Sequence, residues 1–123
     1  MTNKEQQYTS TLTVEEKHLA CNIGSGNLRV LGTPMMMALM ENAAMKAVEN
    51  DLDDSQSTVG GFISASHIKP TGIGHTITAT AKLAEVDGRK LTFKVSASDE
   101  DGIIGEGEHI RFIINKEKFI SKV

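Results

Sequence analysis

The spacing of apolar positions along the chain predicts one long helix and five strands. From Met35 to about Asn50, strong helix formers follow one another with no Gly or Pro, and their apolar residues recur at helical spacing. Elsewhere, apolar and β-branched residues alternate with polar ones, as in strands that bury one face. The predicted apolar stripe of the helix comprises Met37, Met40, Ala44, Ala47 and Val48, and the predicted strands are Tyr8–Val14, Thr58–Lys69, Thr76–Val86, Lys90–Ser98 and Ile104–Ile114.

Turn-forming and capping residues mark the boundaries of these elements. Thr33 is predicted to be the N-cap of the long helix and Pro34 its first residue, because each residue type is favoured at that position. Asp87-Gly88 predicts a tight hairpin between two of the strands. Gly105 and Gly107 inside the last strand indicate a bulge or a sharp bend.

The order of the predicted elements indicates an α+β fold with one domain. Residues 1–7 are expected to form a flexible leader, and residues 8–123 the domain. Residues 15–21 are expected to form a short helical turn, and residues 24–27 a loop. One strand, one long helix and four consecutive strands predict a five-stranded antiparallel sheet curled against the helix. Because a single helix covers such a sheet incompletely, we expect two copies of the chain to pair.

Composition and charge exclude several classes of partner. The chain has 123 residues, a formal net charge of −3 and 4% aromatic residues, so it has no broad cationic field for nucleic acid or anionic lipid. No apolar stretch approaches the ~18 residues that a membrane-spanning helix needs. Cys21 is the single cysteine, so an internal disulfide is impossible and a reducing compartment is expected. The sequence predicts a cytoplasmic protein.

A hydroxyl, a carboxylate and an imidazole are the side chains that acyl transfer requires, and Thr33, Glu41 and His67 supply them. Each of them also has a purely structural interpretation. Thr33 could serve only as a helix cap, Glu41 could lie at the edge of the apolar stripe with its head group in water, and His67 could be a core or rim residue of its strand.

The other candidate groups give weaker indications. Nothing in the sequence singles out His18, His75 or His109, and no pair of histidines or cysteines has the spacing of metal ligands. We therefore expect neither a metal nor a cofactor. The methionine-rich run that includes Met37 is interpreted as adaptable packing, with the lining of an acyl pocket as the alternative.

Taken together, several short motifs resemble those of the hot-dog-fold acyl-CoA thioesterases, and within them the fluoroacetyl-CoA thioesterase-like branch. The resemblance extends from about Leu31 to Phe119. The motifs are Thr33-Pro34 with Glu41 on the helix, Thr58-Val59-Gly60 and Ser66-His67-Ile68 on the next strand, Glu85 to Arg89 at the hairpin, and Gly105-Glu106-Gly107 with His109 to Phe112 on the last strand.

This resemblance implies a fold, a site and an assembly. It implies a sheet wrapped around the long helix, with active sites where two subunits meet in a homodimer or in a tetramer of such dimers. It also implies that Thr33, Glu41 and His67 are catalytic. Gly60, with Gly61 beside it, would lie close to the thioester. Arg111 would hold the phosphates of coenzyme A, with a surface ion pair as the alternative.

The resemblance further implies hydrolysis of a short-chain acyl-CoA, substituted or unsubstituted, to a free acid and coenzyme A. Coenzyme A would be part of the substrate and not a cofactor. One departure concerns residues 23–28, the lid before the helix, which contain no aromatic residue where the fluoroacetate-specific members have bulky ones. We therefore expect a more general short acyl group. The alternatives are a non-catalytic acyl-CoA sensor and a hot-dog enoyl-CoA hydratase or dehydratase.

Overall fold

The computed structural model describes residues 6–123. Its elements occur in the predicted order, with short helical segments between β1 and the long helix and one short helix after the last strand. None of the helices in the described residues is long and apolar enough to cross a membrane. The elements are β1 (Gln7–Thr13), a 3₁₀ turn (Glu16–His18), α1 (Ala20–Ile23), α2 (Thr33–Val48), a second 3₁₀ turn (Glu49–Asp51), β2 (Gln56–Ala65), β3 (Thr76–Asp87), β4 (Lys90–Asp99), β5 (Gly102–Asn115) and α3 (Lys116–Ile120).

The five strands form one antiparallel sheet in the order β1-β3-β4-β5-β2. Helix α2 lies against β3 and β1 and also contacts β4 and β2. Side chains from the helix and from the facing side of the sheet form one core cluster, which includes the fully buried Met40, Ile77 and Phe93. The predicted α+β architecture, a five-stranded antiparallel sheet around one long helix, is confirmed.

Helix α2 begins differently from the prediction. Gly32 is its N-cap, with extended backbone angles (φ −73°, ψ 137°), and Thr33 is already helical. The Gly32 carbonyl accepts the first helical hydrogen bond from the Met35 N–H at 2.9 Å. The prediction that Thr33 caps the helix was therefore wrong, and its hydroxyl is free for another partner.

Four of the five residues of the predicted apolar stripe of α2 are buried, and Met37 is the exception. The buried residues of the helix are Met36, Leu39, Met40, Ala43, Ala44, Ala47 and Val48, whereas Met37 is half-buried and packs against the edge of the core. The helix ends at Val48 and continues as a 3₁₀ turn, two residues before the predicted end. The rest of the stripe is confirmed, and Met36 takes the place of Met37 in the core because three consecutive methionines leave the start of the apolar face ambiguous.

Strand β2 ends earlier than predicted, so His67 lies beyond it. The chain nevertheless stays extended beside β5, because the Ser66 N–H donates to the Glu106 carbonyl at 2.9 Å and the Ile68 N–H to the Ile104 carbonyl at 2.7 Å. A register shift between Gly60 and Phe62 leaves Gly61 as an extra, bulged residue. Since side chains alternate along a strand, this bulge lets residues on both sides of it face the core side of the sheet.

The bend predicted at Gly105 and Gly107 coincides with a close approach of two backbones. A Cβ atom built on Gly107 would lie 1.8 Å from the Ser64 carbonyl oxygen, and one built on Gly105 would lie 2.2 Å from the Ser66 carbonyl oxygen. The pairing of β4 with β5 also shifts register beside Gly105, between Ala97 and Ser98. The bulge is confirmed, and the bare glycine backbone is what lets β2 and residues 66–68 lie against β5.

The remaining predictions hold with small shifts. The hairpin between β3 and β4 has Gly88 in the left-handed region (φ +61°), as the Asp-Gly motif predicts. Of the predicted leader, residues 1–5 lie outside the described residues. Gln7 belongs to β1, and the Gln6 side chain donates to the Ala47 carbonyl at 2.7 Å. The ordered domain therefore includes the last two residues of the predicted leader.

Candidate active site

The Thr33 hydroxyl and the His67 imidazole form a hydrogen-bonded pair at the start of α2. The distance between Thr33 Oγ1 and His67 Nδ1 is 2.7 Å. The Thr33 side chain is exposed and His67 is half-buried. Burial lowers the pKa of His67, and the backbone of Lys69 offsets part of this effect. A largely neutral imidazole in contact with a hydroxyl can accept a proton during nucleophilic attack.

The other ring nitrogen of His67 is buried and has no hydrogen-bond partner among the described residues. Buried polar atoms are nearly always paired in folded proteins, so an unpaired one calls for an explanation. At a substrate site, the missing partner can be water or the substrate itself. This orphaned atom sets His67 apart from a merely structural histidine.

A cleft of about 300 Å³ opens beside the pair. Its volume is at the lower end of the range for small-molecule sites. Its walls come from the segment before α2 and from the segment that follows His67. Apart from the pair, the lining includes Ala20, Leu31, Ile68 and Pro70. The cleft is mostly apolar beside a hydroxyl and an imidazole, which suits a short acyl group.

A second group of polar side chains surrounds Gly60 on β2, and it includes Glu41, which lies further along α2 than Thr33. A Cβ atom built on Gly60 would lie 3.1 Å from Glu41 Oε2, 3.2 Å from His109 Cε1 and 3.6 Å from Arg111 Nη1. Glu41 is half-buried and Gly60 is exposed, whereas His109 and Arg111 beneath them are buried. Gly60 thus leaves the space above the Glu41 carboxylate open.

Within one chain the two groups are separate. Glu41 follows Thr33 by eight residues, which is about 12 Å along a helix axis. Gly60 precedes His67 by seven residues, which is roughly 20 Å of extended chain. The structure therefore brings Thr33 to His67 and Glu41 to Gly60, and the two pairs do not share one cleft within a single chain.

Comparison with known proteins identifies the family. The model of the family described as fluoroacetyl-CoA-specific thioesterase matches residues 14–117. The chain belongs to this family. It is 40% identical over 94 residues to the fluoroacetyl-CoA thioesterase of Streptantibioticus cattleyicolor, which covers 76% of this chain and 68% of that protein. The predicted resemblance and the predicted enzyme class, an acyl-CoA thioester hydrolase, are confirmed.

Solved structures agree with this assignment. A single-residue variant of the fluoroacetyl-CoA-specific thioesterase FlK, in complex with fluoroacetate and CoA, superposes with a TM-score of 0.91 at 31% identity over 96% of this chain and 99% of that one. A hot-dog-like protein from Thermanaerovibrio acidaminovorans has a TM-score of 0.87 at 16% identity, over 97% of this chain and 88% of that one. The second match concerns the fold alone, and it confirms the hot-dog architecture.

The segment predicted to form a lid comprises α1 and the loop after it. It folds onto the start of α2 at Gly32, where a Cβ atom would lie 2.5 Å from Ile23 Cδ1 and 3.0 Å from Ser25 Oγ. The Ala20 N–H donates to the Val30 carbonyl at 2.8 Å, which closes the loop on itself. The lid therefore reaches the cleft with aliphatic and small side chains only.

Three further predicted site residues have other surroundings. Arg111 is 7% exposed and donates from Nε to Thr58 Oγ1 at 2.8 Å, so the alternative of a surface ion pair was wrong. Contact between Arg111 and a coenzyme A phosphate stays a prediction. Gly61 is the bulged residue, and a Cβ on it would lie 2.5 Å from the Phe112 ring. Met37 packs against the core cluster.

His109 is the residue that sequence reasoning missed. It is fully buried and contacts both Arg111 and the backbone of β2. A usable signal was present, because His109 alternates with Arg111 and Gly107 on one face of a predicted strand. Two polar residues on a face that also carries the core residue Ile113 predict a paired, buried cluster. In residues 6–123, no group of three or more His, Cys, Asp or Glu side chains is arranged to hold a metal ion.

Proposed function

We propose that the protein hydrolyses the thioester of a short-chain acyl-CoA, substituted or unsubstituted, to the free acid and coenzyme A. The observation that carries this proposal is the 2.7 Å contact between Thr33 Oγ1 and His67 Nδ1 beside a cleft of about 300 Å³. Membership in a thioesterase family supports the same reaction. Water is the only co-reactant that the reaction needs, so it requires no cofactor.

The proposed mechanism divides the work between the two groups. His67 and Glu41 activate the attacking group, which is either water or the Glu41 carboxylate itself. Attack on the acyl carbon gives a tetrahedral oxyanion, whose collapse breaks the C–S bond and releases the thiolate of coenzyme A to take up a proton. The Thr33 hydroxyl orients the thioester and, with nearby backbone N–H groups, stabilises the oxyanion.

The start of α2 supplies few free amides for this purpose. Pro34 has no N–H, and the Met35 N–H already donates to the Gly32 carbonyl at 2.9 Å. The Thr33 N–H is therefore the amide of the first helical turn that lies closest to the Thr33 hydroxyl. Donors near Gly60 would supply the rest, since that backbone is exposed beside Glu41.

Bringing the two groups together requires two copies of the chain, and we propose a homodimer that pairs β2 with β2. Both edge strands of the sheet lack charged residues that would prevent such pairing, but only β2 carries Gly60 beside Glu41. An antiparallel register centred between Ile63 and Ser64 would set Gly60 of one protomer opposite the partner's His67. Association of dimers into tetramers, and a cytoplasmic location, stay predictions.

We propose a general short acyl group as the substrate, without strict selection for fluorine. The observation is the aliphatic lid, in which residues 23–28 contain no aromatic side chain. A cleft lined by Ser25, Val30 and Leu31 can discriminate by size, but one methylene in such a pocket changes the rate by only ~10–200-fold. We therefore expect acetyl and small substituted acetyl groups to be hydrolysed at rates within that range.

A panel of acyl-CoA thioesters with detection of free thiol tests the proposal. The panel contains acetyl-, fluoroacetyl-, propionyl- and octanoyl-CoA, with the His67→Ala variant as the control. We expect turnover of the short members and near-complete loss in the variant. If crotonyl-CoA is hydrated while no thiol is released, the protein is a hydratase. If acyl-CoA binds but turnover is absent, or is the same in Glu41→Gln, the sensor alternative is supported.

The two roles of Glu41 can be separated in a single turnover. If Glu41 is a general base, oxygen from H₂¹⁸O enters only the released acid. If Glu41 is the nucleophile, an anhydride forms and its hydrolysis can leave ¹⁸O in the carboxylate, which mass spectrometry of the Glu41 peptide detects. The peptide that contains Glu49, about two helical turns further along the chain, should stay unlabelled and is the internal control.

A further inference from the structure

A buried polar cluster holds β2 on both sides of its bulge. Arg111 donates from Nε to Thr58 Oγ1 at 2.8 Å and from Nη2 to the Thr58 carbonyl at 2.9 Å. His109 Nδ1 lies 2.7 Å from the Phe62 carbonyl oxygen. Thr58 precedes the bulged Gly61 and Phe62 follows it. Two neighbouring side chains of β5 thus fix the backbone before and after the bulge.

These contacts assign the tautomer of His109. A carbonyl oxygen only accepts hydrogen bonds, so the proton must be on Nδ1. Arg111 Nη1 lies 3.2 Å from His109 Nε2, and a guanidinium only donates, so Nε2 must carry the free lone pair. Both contacts are satisfied only by a neutral imidazole with its proton on Nδ1.

The charges around His109 favour the same state. Arg111 on β5 and Glu41 on α2 are the charged groups that act on it, whereas β2 presents uncharged Thr58 and the Phe62 carbonyl, and β4 presents the Phe93 ring. Burial lowers the pKa of His109 and the Arg111 charge lowers it further, while the Phe62 carbonyl and Glu41 act in the opposite direction. A proton on Nε2 would face the Arg111 N–H directly.

The cluster ends at Glu41. Arg111 Nη1 and Glu41 Oε2 both lie within 4 Å of the position where a Gly60 Cβ would be. Burial lowers the pKa of Arg111, and the Glu41 carboxylate offsets part of that effect. Thr58 and His109 hold the guanidinium of Arg111 in place. Its positive charge therefore acts from a fixed position on the Glu41 carboxylate, whose position relative to Gly60 matters for the proposed reaction.

We propose that His109 is a positioning residue for thioester hydrolysis: as the neutral Nδ1–H tautomer it fixes the β2 bulge through Phe62 and orients Arg111, whose positive charge acts on Glu41 beside the exposed Gly60. This inference rests on the proposed function. Protonation of His109 places a second positive charge against Arg111 and displaces the guanidinium, so activity falls reversibly in acid for a reason separate from the protonation of His67.

Two substitutions separate positioning from mere stability. Asn places an N–H donor close to the position of Nδ1, so His109→Asn keeps the contact with Phe62 but cannot titrate. His109→Leu removes both contacts. We expect His109→Leu to lower kcat by ~10²-fold with little change in KM, since small misplacements cost about that much. Because His109→Asn loses the acceptor for Arg111 but places no positive charge beside it, we expect its kcat to fall by only ~10-fold, between the wild type and His109→Leu. His75→Asn, which alters an exposed histidine, is the matched control and should leave kcat unchanged.

The pH dependence of kcat distinguishes a positioning role from a purely structural role, which would not change it. With two histidines that must both be neutral, log kcat of the wild type should fall in acid with a slope approaching ~2, and that of His109→Asn with a slope of ~1. Long-range ¹H–¹⁵N spectra should show the proton of His109 on Nδ1, whether or not His109→Leu folds.

A wild-type rate in folded His109→Leu, an unchanged slope in His109→Asn, or a proton on Nε2 overturns the proposal. An inactive wild type overturns the proposed function instead, and with it the positioning role.

Discussion

The Thr33 hydroxyl and His67 Nδ1 meet at 2.7 Å although 34 residues separate them in the chain. Thr33 is the first residue of α2, and His67 lies two residues past the end of β2. Neither side chain caps or fills a structural element here, since the helix is capped by Gly32 and the imidazole is only half-buried. A contact that local structure does not require points to chemistry.

Replacement of Thr33 tests that view directly. Thr33→Val keeps the shape of the side chain and removes the hydroxyl, so we expect kcat to fall by ~10²–10³-fold, as for the loss of one oxyanion donor. Because Thr33 is exposed and is not the N-cap, the free energy of unfolding should change by less than ~0.5 kcal/mol. Thr33→Ser is the control and should stay active. A destabilisation of ~1 kcal/mol with normal kcat would instead indicate a capping role.

Glu41→Gln should lower kcat by ~10²–10⁴-fold, because the amide can neither accept the proton nor attack the thioester. The substitution nearly preserves side-chain size, so binding of acyl-CoA should be retained and can be measured by calorimetry. Glu49→Gln, on the exposed end of the same helical segment, is the matched control. Equal rates in the two variants would contradict a catalytic role for Glu41.

Mixed dimers test the assembly of the site. His67→Ala and Glu41→Gln chains are co-expressed so that they pair at random. About half of the dimers are then mixed, and each mixed dimer would contain one intact site. We therefore expect recovery of up to about one quarter of the wild-type activity, although each variant alone is inactive. If both groups act within a single chain, every site stays defective and no activity returns.

The close backbone contact between the paired strands β2 and β5 predicts a loss of stability in one alanine variant, and an open position in a loop predicts a gain in another. Gly107→Ala would place a Cβ 1.8 Å from the Ser64 carbonyl oxygen, so the backbone must move, and we expect a loss of stability of ~1–3 kcal/mol or more. Gly72→Ala meets nothing within 4 Å and should stabilise the protein by ~0.4–1 kcal/mol. Urea unfolding of the two variants, compared with the wild type, measures both effects. Equal stabilities would mean that the two strands do not approach as closely as described.

Stability should rise with pH across the range in which histidines titrate. The pKa values of His67 and His109 are both lowered, so between the folded and unfolded pKa values the unfolded chain binds more protons. The stabilising contribution is complete above the unfolded value of about 6.5 and is lost as the pH falls below it. Urea unfolding from pH 5 to pH 8 should show this slope, and His109→Asn should reduce it. A flat profile would contradict the buried, neutral state of His109.

Much of the fold follows from local signals in the sequence. The long uninterrupted run after Pro34 gives α2, alternation gives β3, β4 and β5, and Asp87-Gly88 gives the hairpin. The errors lie where two local choices are nearly equal in energy. Three consecutive methionines do not reveal which one faces the core, and Gly32 or Thr33 could each begin the helix.

The site is less predictable because it depends on distant parts of the chain. Side-chain type and spacing identify Thr33, Glu41 and His67, but not which of them meet, since that depends on how α2 lies across the sheet. The surroundings of Arg111 illustrate the limit: a cationic residue on a strand is normally at the surface, and only the pairing of β2 with β5 shows that Thr58 and His109 satisfy it in the interior.

The single bulged residue at Gly61 has a consequence for how this family member can vary. Counting along β2, Gly60 and His67 are an odd number of positions apart, so a regular strand would turn one of them to solvent. The distance in residue number between them is thus as constrained as their identities. The loop after α1 would absorb an insertion without harm, whereas an insertion within this stretch would turn Gly60 or His67 away from the site and shift Ile63 and Ala65 from their contacts with the core.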